Sequence, residues 1–291
     1  MTTVLAVDLG GSKILACLVQ EGRILEESRA ATPREGGVDA WMDAVGELAA
    51  PWAGRFSLAG VAVTGLVQRG HWQALNPDTL PIPAGFLLEA ELTRRLRVPV
   101  TSLNDAQAAA WGEHVAGAGR GADDMVFVTI STGIGGGVIL DGRLLLGRSG
   151  MAGSIGQIRL PAGQRLEEVA SGSGIARMAA AEGHVLDAPA LFAAAAAGEA
   201  FAAAVLDRAV DASALLFRDL QYLYDPARIV VGGGVGLAPG HLERIRARLA
   251  HLSDVERPEL VPASLGAHAG IIGIVDLALR EAAATREDQS L

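Results

Sequence analysis

The chain has one cysteine, one lysine and few aromatic residues. A lone cysteine, Cys17, can form neither an internal disulfide nor a cysteine-rich metal cluster, and it is read as a small buried apolar residue. Lys13 is the only lysine. Arginine carries the remaining positive charge, a compositional bias, and the place of Lys13 beside a glycine pair carries only modest weight. No uninterrupted apolar run reaches the roughly 18 to 20 residues a membrane helix needs. The opening MTTVLAVDLGG has no basic n-region and no cleavage site, so a cytoplasmic protein with no membrane partner is expected. With a formal charge of -9, the chain is a poor binder of phosphate backbones, and no nucleic-acid partner is expected.

What is present is enough for two domains, since 291 residues exceed the usual size of one hydrophobic core. Val4 to Asp8, Ser12 to Gln20 and Arg23 to Ala30 read as a strand meander, broken at Gly10-Gly11 and Glu21-Gly22. Asp39 is expected to cap a helix whose Trp41, Val45, Leu48 and Trp52 recur at helical spacing. Leu58 to Thr64 reads as a buried strand, Phe86 to Leu96 as a helix, and Val98 to Leu103 as a strand leading into an alanine-rich helix near Ala106. The pattern then restarts: Met125 to Ser131 and Gly137 to Leu140 form strands around a glycine loop, followed by Arg143 to Leu146. The same hairpin thus occurs twice, an internal duplication. Helices follow over Ile175 to Ala181, Ala190 to Ala196, Phe201 to Leu223, Leu242 to Leu252 and Ile271 to Ala283, with strands at Ile229 to Val231 and near Leu260.

Four constellations carry chemistry. Asp8-Leu9-Gly10-Gly11-Ser12-Lys13 sits at a strand turn, where glycines let backbone approach a phosphate and consecutive amides can form an anion nest; the alternative is a plain hairpin turn. Ser131-Thr132-Gly133-Ile134-Gly135-Gly136-Gly137 places four glycines where they weaken a strand, for which a closely approaching ligand is the expected reason. It is not a dinucleotide fingerprint, because no helix follows it. Gly232-Gly233-Gly234 is the third glycine loop, again after an apolar strand. Asn104-Asp105 ends a strand: a carboxylate there can take a proton from an attacking hydroxyl, and either residue can cap the next helix.

Taken with Leu75-Asn76-Pro77, Asn104 to Trp111, Glu167, Ala170-Ser171-Gly172 and Gly232 to Gly236, these residues resemble the ROK family of sugar kinases and repressors over essentially the whole chain. Within the family, Asn104 to Trp111, Asp124 to Phe127 and Gly233 to Leu237 look most like bacterial N-acetylmannosamine kinases. The resemblance implies an α/β fold of the actin-like (ribonuclease H-like) class in two lobes, with ATP and magnesium in the cleft and the sugar's 6-hydroxyl as acceptor. The lobes are expected at 1–103, joined by the C-terminal helix at about 271–284, and at 104–270. A homodimer is expected.

By the same resemblance Asp105 is the catalytic base. Gly65, Asn76, Asn104, Asp105, Ser154, Gln157 and Glu167 bind sugar. Asp8, Gly10, Gly11, Ser12, Lys13, Thr132, Gly133, Gly135, Gly136, Gly137, Gly232, Gly233 and Gly234 bind ATP, with Asp8 holding magnesium indirectly. Many members carry a Gly-Glu-x-Gly-His segment and a three-cysteine zinc cluster. Here the stretch reads Gly153-Ser154-Ile155-Gly156-Gln157, followed by Leu160 to Arg165 without cysteine, so no zinc is expected and Leu160, Pro161 and Leu166 are left to hold the loop. Ser154 stands where glucose-specific members usually have a glutamate, and Gln157 can replace the histidine as a hydrogen-bonding group. A glucokinase or other hexose or hexosamine kinase is the alternative. A sugar-sensing repressor is disfavoured, because the first strand is read from about Val4 with no room for a helix-turn-helix.

Overall fold

The computed structural model describes residues 2–75 and 81–288. The chain forms two compact units, Met1–Val115 with Leu146–Met151 and Ala267–Leu291, and Ala116–Leu145 with Ala152–Gly266.

The first unit is built on β1 (Thr3–Leu9), β2 (Lys13–Gln20), β3 (Arg23–Ala31), β4 (Leu58–Val63) and β8 (Val100–Asn104), in the order β3-β2-β1-β4-β8. The β1, β2 and β3 strands form the antiparallel meander; β4 and β8 add parallel to it. Every residue of β4 is buried, as a parallel strand covered on both faces requires. Helix α1 (Gly37–Ala49) lays Trp41, Met42 and Val45 on the core. Its cap is Gly36 at φ 84°, so Asp39 lies inside the first turn and does not cap the helix. The left-handed backbone there suits glycine.

Between β4 and β8 the chain makes a small sheet, β5 (Leu66–Gln68), β6 (His71–Gln73) and β7 (Phe86–Leu87), before α2 (Leu88–Leu96). The helix expected from Phe86 therefore begins at Leu88, because Phe86 and Leu87 pair with Trp72 and His71. Helix α3 (Asp105–Ala116) starts directly from β8 and packs on α9 (Ala269–Asp288). A Cβ at Gly112 would overlap the Ala269 carbonyl, and one at Gly273 the Ala108 carbonyl. This backbone contact is why α3 belongs to the first unit, so that the boundary expected at 103/104 falls inside it.

The second unit repeats the sheet. β9 (Met125–Ile130), β10 (Ile134–Leu140), β11 (Arg143–Leu144), β12 (Arg228–Gly232) and β13 (Leu260–Pro262) run in the order β11-β10-β9-β12-β13. Again the first three are antiparallel and the last two parallel. Helices α4 (Leu166–Ala170), α5 (Gly172–Ala181), α6 (Ala188–Ala196), α7 (Ala200–Tyr224) and α8 (His241–Leu249) cover it. Buried Val205, Leu206, Ala209, Phe217 and Leu220 of α7 join Val126, Val128, Ile229 and Val231 in one core. Two five-stranded sheets of one topology, with helices, make the mixed α/β, actin-like architecture expected. No single helix among the described residues is long and apolar enough to cross a membrane. One bent pair, α6 with α7, meets that test by length and composition alone.

Candidate active site

In the first unit the functional residues gather at the ends of β1, β4 and β8. The turn from β1 to β2 is closed by the Gly10 N–H on the Lys13 carbonyl (3.0 Å). It is tied to β3 by the Thr32 hydroxyl donating to the Gly10 carbonyl (2.7 Å) and the Thr32 N–H donating to that of Ser12 (3.1 Å). Gly11, Ser12 and Lys13 are exposed, and a Cβ placed on Gly11 would meet nothing within 4 Å. The fold thus gives no packing reason for glycine at this position. Asp8 stands one residue before the end of β1. Burial, then the charge of Asp105, pushes its carboxyl up to about 6 against the pull of Lys13.

Parallel pairing of β4 with β8 sets Val63 beside Asn104, and so brings Thr64-Gly65 against Asn104-Asp105. Asn104 Nδ2 donates to the Gly65 carbonyl (2.8 Å), while its Oδ1 accepts the N–H groups of Ala106 (3.0 Å) and Gln107 (3.1 Å). Asn104 therefore supplies an N-terminal cap to α3. Asp105 Oδ1 accepts the Ala106 N–H (2.7 Å) and Oδ2 accepts the Thr64 hydroxyl (2.9 Å). Burial raises the Asp105 pKa, opposed by hydrogen bonds from Thr64, Ala106 and Asn104. Gly65 has φ 106°, and a Cβ on it would lie 2.7 Å from the Gln73 carbonyl oxygen. Thr64 is expected from the sequence only as the end of a buried strand and not as a site residue; its only signal there is a polar residue followed by a glycine. Asn76 lies outside the described residues.

In the second unit the β9–β10 turn, Ser131 to Gly133, is closed by the Ser131 N–H on the Gly133 carbonyl (2.8 Å). The start of α5 is held on it by Gly172 N–H to Ser131 O (2.7 Å) and Ser173 N–H to Thr132 O (3.1 Å). Glu167 Oε2 accepts the Ile134 N–H (2.9 Å), and a Cβ on Gly133 would come within 2.7 Å of that same oxygen. Gly135, Gly136 and Gly137 are inside β10, paired with Thr129, Val128 and Phe127, so the strand starts at Ile134 and not at Gly137. Gly136 has a reason within the fold: a Cβ there would overlap the Ile155 side chain and lie 2.5 Å from the Phe127 carbonyl oxygen.

The same close packing brings Gly153 to Gln157 beside β10. A Cβ on Gly153 would overlap the Gly136 carbonyl, and one on Gly156 would sit 2.5 Å from that of Ile134. Gln157 Oε1 accepts from Arg165 Nη1 (3.3 Å), and Arg165 also pairs with Glu168 (2.9 Å). The loop between them closes on itself through Leu160 N–H to Gln164 O (2.8 Å), Leu166 N–H to Ile158 O (2.8 Å) and Arg159 Nη1 to Gly163 O (2.6 Å). Leu166 is buried and Leu160 packs at the core edge, so the loop is held by an arginine clip and hydrogen bonds as well as by apolar contacts. The third glycine loop lies at the end of β9: Val235 and Gly236 donate to the Ile130 carbonyl (2.9 and 3.0 Å). Gly233, at φ 85°, has no room for a Cβ, whereas Gly234 has nothing within 4 Å.

Gly11 in the first unit and Gly234 in the second each have open space where a Cβ would sit. Among the described residues no group of three or more His, Cys, Asp or Glu side chains could hold a metal ion by itself.

The chain resembles known proteins over nearly its whole length. The chain is 50% identical over 278 residues to the bifunctional enzyme NanE/NanK of Brucella melitensis biotype 1, covering 94% of this chain and 54% of that protein. It therefore spans about half the length of that relative. It is 38% identical over 291 residues to the N-acetylmannosamine kinase of Shigella boydii serotype 18, covering 96% of this chain and 99% of that one. Among solved structures, a ROK family glucokinase from Streptomyces griseus in complex with glucose and AMPPNP superposes with a TM-score of 0.81 at 30% identity, covering 96% of this chain and 99% of that one. The ROK family model matches residues 4–281, nearly the whole length, and the chain belongs to the ROK family.

Proposed function

We propose that this chain transfers the γ-phosphoryl group of ATP to the 6-hydroxyl of N-acetylmannosamine. The observation that carries the reading is Asp105: a half-buried carboxylate with raised pKa at the head of α3, beside a turn whose Gly11 leaves space for a ligand. The Shigella relative named N-acetylmannosamine kinase supports the substrate, and the AMPPNP in a related structure supports ATP.

Asp105 accepts the proton of the sugar hydroxyl as its oxygen bonds to phosphorus and the bond to the ADP oxygen breaks. Asn104, Gly65, Ser154, Gln157, Glu167 and Asn76 bind the sugar. The Gly10 to Lys13 turn, Thr132 to Gly137 and Gly232 to Gly234 hold the nucleotide. Magnesium carried on the nucleotide would neutralise charge on the transferring group. Asp8, an acid that burial and Asp105 push up to about 6, would be favoured in its charged form by a cation nearby, held through water. The proposal includes a cytoplasmic homodimer that works without zinc.

The test is a coupled ADP-release assay over N-acetylmannosamine, glucose, N-acetylglucosamine, mannose and allose. N-acetylmannosamine should give the highest kcat/KM. Glucose is the second reading, because the related Streptomyces enzyme is a glucokinase. A glucose preference of about tenfold, roughly 1.4 kcal/mol in transition-state binding, would replace the proposed substrate. Sedimentation tests the dimer, and a zinc-selective chelator should leave activity unchanged once magnesium is replenished.

A further inference from the structure

We propose that Thr64 is the positioning residue of the transfer: its hydroxyl fixes the orientation of the Asp105 carboxylate that faces the incoming sugar. The inference rests on the reading of Asp105 as the base and adds a residue that acts only through it. A carboxylate on a short side chain turns about a soft terminal torsion, and a base whose oxygens exchange places spends time badly aimed. Here both oxygens are tied, Oδ1 by the Ala106 N–H at 2.7 Å and Oδ2 by the Thr64 hydroxyl at 2.9 Å.

Thr64 is itself fixed. Its carbonyl accepts the indole N–H of buried Trp72 at 2.8 Å, and its N–H points to the Leu9 carbonyl at 3.4 Å. The next carbonyl, that of Gly65, accepts from Asn104 at 2.8 Å. Trp72, Thr64, Gly65, Asn104 and Asp105 therefore form a continuous chain of contacts from the β5–β6 hairpin to the carboxylate. A β-branched residue adds stiffness at χ1.

The hydroxyl suits the chemistry in a second way. While Asp105 is ionised, Thr64 donates to it; once Asp105 holds the proton, the same hydroxyl oxygen can accept. Valine fills the same volume and does neither. The other charged groups at this corner are Asp8 on β1 and Lys13 on β2, and neither shares a hydrogen bond with Thr64.

The test compares Thr64→Val and Thr64→Ser with the wild type. Thr64→Val should lower kcat roughly tenfold or more, at least about 1.4 kcal/mol, with KM for sugar and ATP changed less than about twofold, since the loss is of a transition-state interaction. Thr64→Ser should restore kcat to within about threefold, because it keeps the hydroxyl. Added to Asp105→Asn, Thr64→Val should cost nothing further, since it acts through that carboxylate. Wild-type kcat in Thr64→Val would overturn the inference, as would equal loss in the serine variant or an additive loss in the double variant. Wild-type turnover by folded Asp105→Asn would instead overturn the assignment of the base, a result separate from the first.

Discussion

The two five-stranded sheets share one strand order, yet their first turns differ in what they leave at the surface. One pair in from the turn, the first sheet has Asp8 opposite Leu15, where the second has Thr129 opposite Gly135. The first sheet's last strand leads into Asp105, while the second sheet's ends at Pro262. Glycine has opposite meanings too: at Gly11 it is open, and at Gly136 the strand cannot pack with anything larger. One scaffold used twice carries strand-end acids in one copy and, inside the first hairpin of the other, a glycine closed in by its neighbours. A duplicated fold need not duplicate a site.

The sharpest way to break this comparison is Asp105→Asn. It should lower kcat roughly 10²-fold to 10⁴-fold while leaving the chain folded, measured by the coupled assay beside thermal melting. Wild-type turnover would leave the first copy's carboxylates as structural groups.

Asp8→Asn should give the next largest effect, and on stability it has the opposite sign. Its pKa rises on folding from 3.8 to about 6, so the folded state binds the proton more readily than the unfolded state. Wild-type stability should therefore rise as pH falls through about 6 toward 3.8. At pH 7 the asparagine variant should be more stable by up to about 3 kcal/mol, with the difference vanishing near pH 4 and activity lost throughout. Denaturant melts across that range measure it. A variant less stable at pH 7 would show that Asp8 is held by contacts a neutral amide cannot make.

The glycines make a crossed pair. Gly136→Ala should destabilise by about 1 to 3 kcal/mol, the usual cost of overpacking. Gly11→Ala should change stability by no more than about 0.5 kcal/mol and raise KM for ATP. Melting curves and ATP titrations of the two variants would expose an exchanged outcome.

A modest effect belongs to His241, fully buried in the second unit and in T-shaped contact with Phe192. Burial, then Arg244, against Glu243, lowers its pKa from 6.5 to about 4. The unfolded state takes the proton first, so stability falls as pH drops below about 6.5. The loss between pH 7 and 6 is roughly 1 kcal/mol, and His241→Phe should remove it. Acid thus favours the first unit through Asp8 and weakens the second through His241. Amide exchange resolved by segment can read the two trends separately.

Most of the frame was legible because its signals are local. Alternating or continuous apolar runs ending in glycine marked β1, β2, β4, β9 and β12, and Asn104-Asp105 stood out as polar residues at a strand end. What escaped depends on residues far apart in the chain. Thr64 meets Asp105, 41 positions further along the chain, only because β4 lies parallel to β8. The reason for Gly136 is Ile155 and a carbonyl of the neighbouring strand. The β5 and β6 strands have three residues each, too few for a period to show. The clip of Arg165 on Glu168 has the i,i+3 spacing of a helix start, whereas its reach back to Gln157 across a loop follows no such pattern.

The backbone contact of α3 with α9 has a consequence for how the protein is made. Ile271, Ile274 and Val275 of α9 are buried, and a Cβ on Gly60 of β4 would lie 2.8 Å from the Ile274 carbonyl oxygen. The sheet that holds Asp8 and Asp105 is therefore finished by a helix more than 160 residues downstream of Asp105. Chains emerge from the ribosome N-terminus first, at about 5 to 20 residues per second. The intervening second unit has all of its strands and helices translated before α9 appears. The unit begun first is the one completed last, and a nascent chain halted before residue 269 carries its acids on a sheet with one face uncovered.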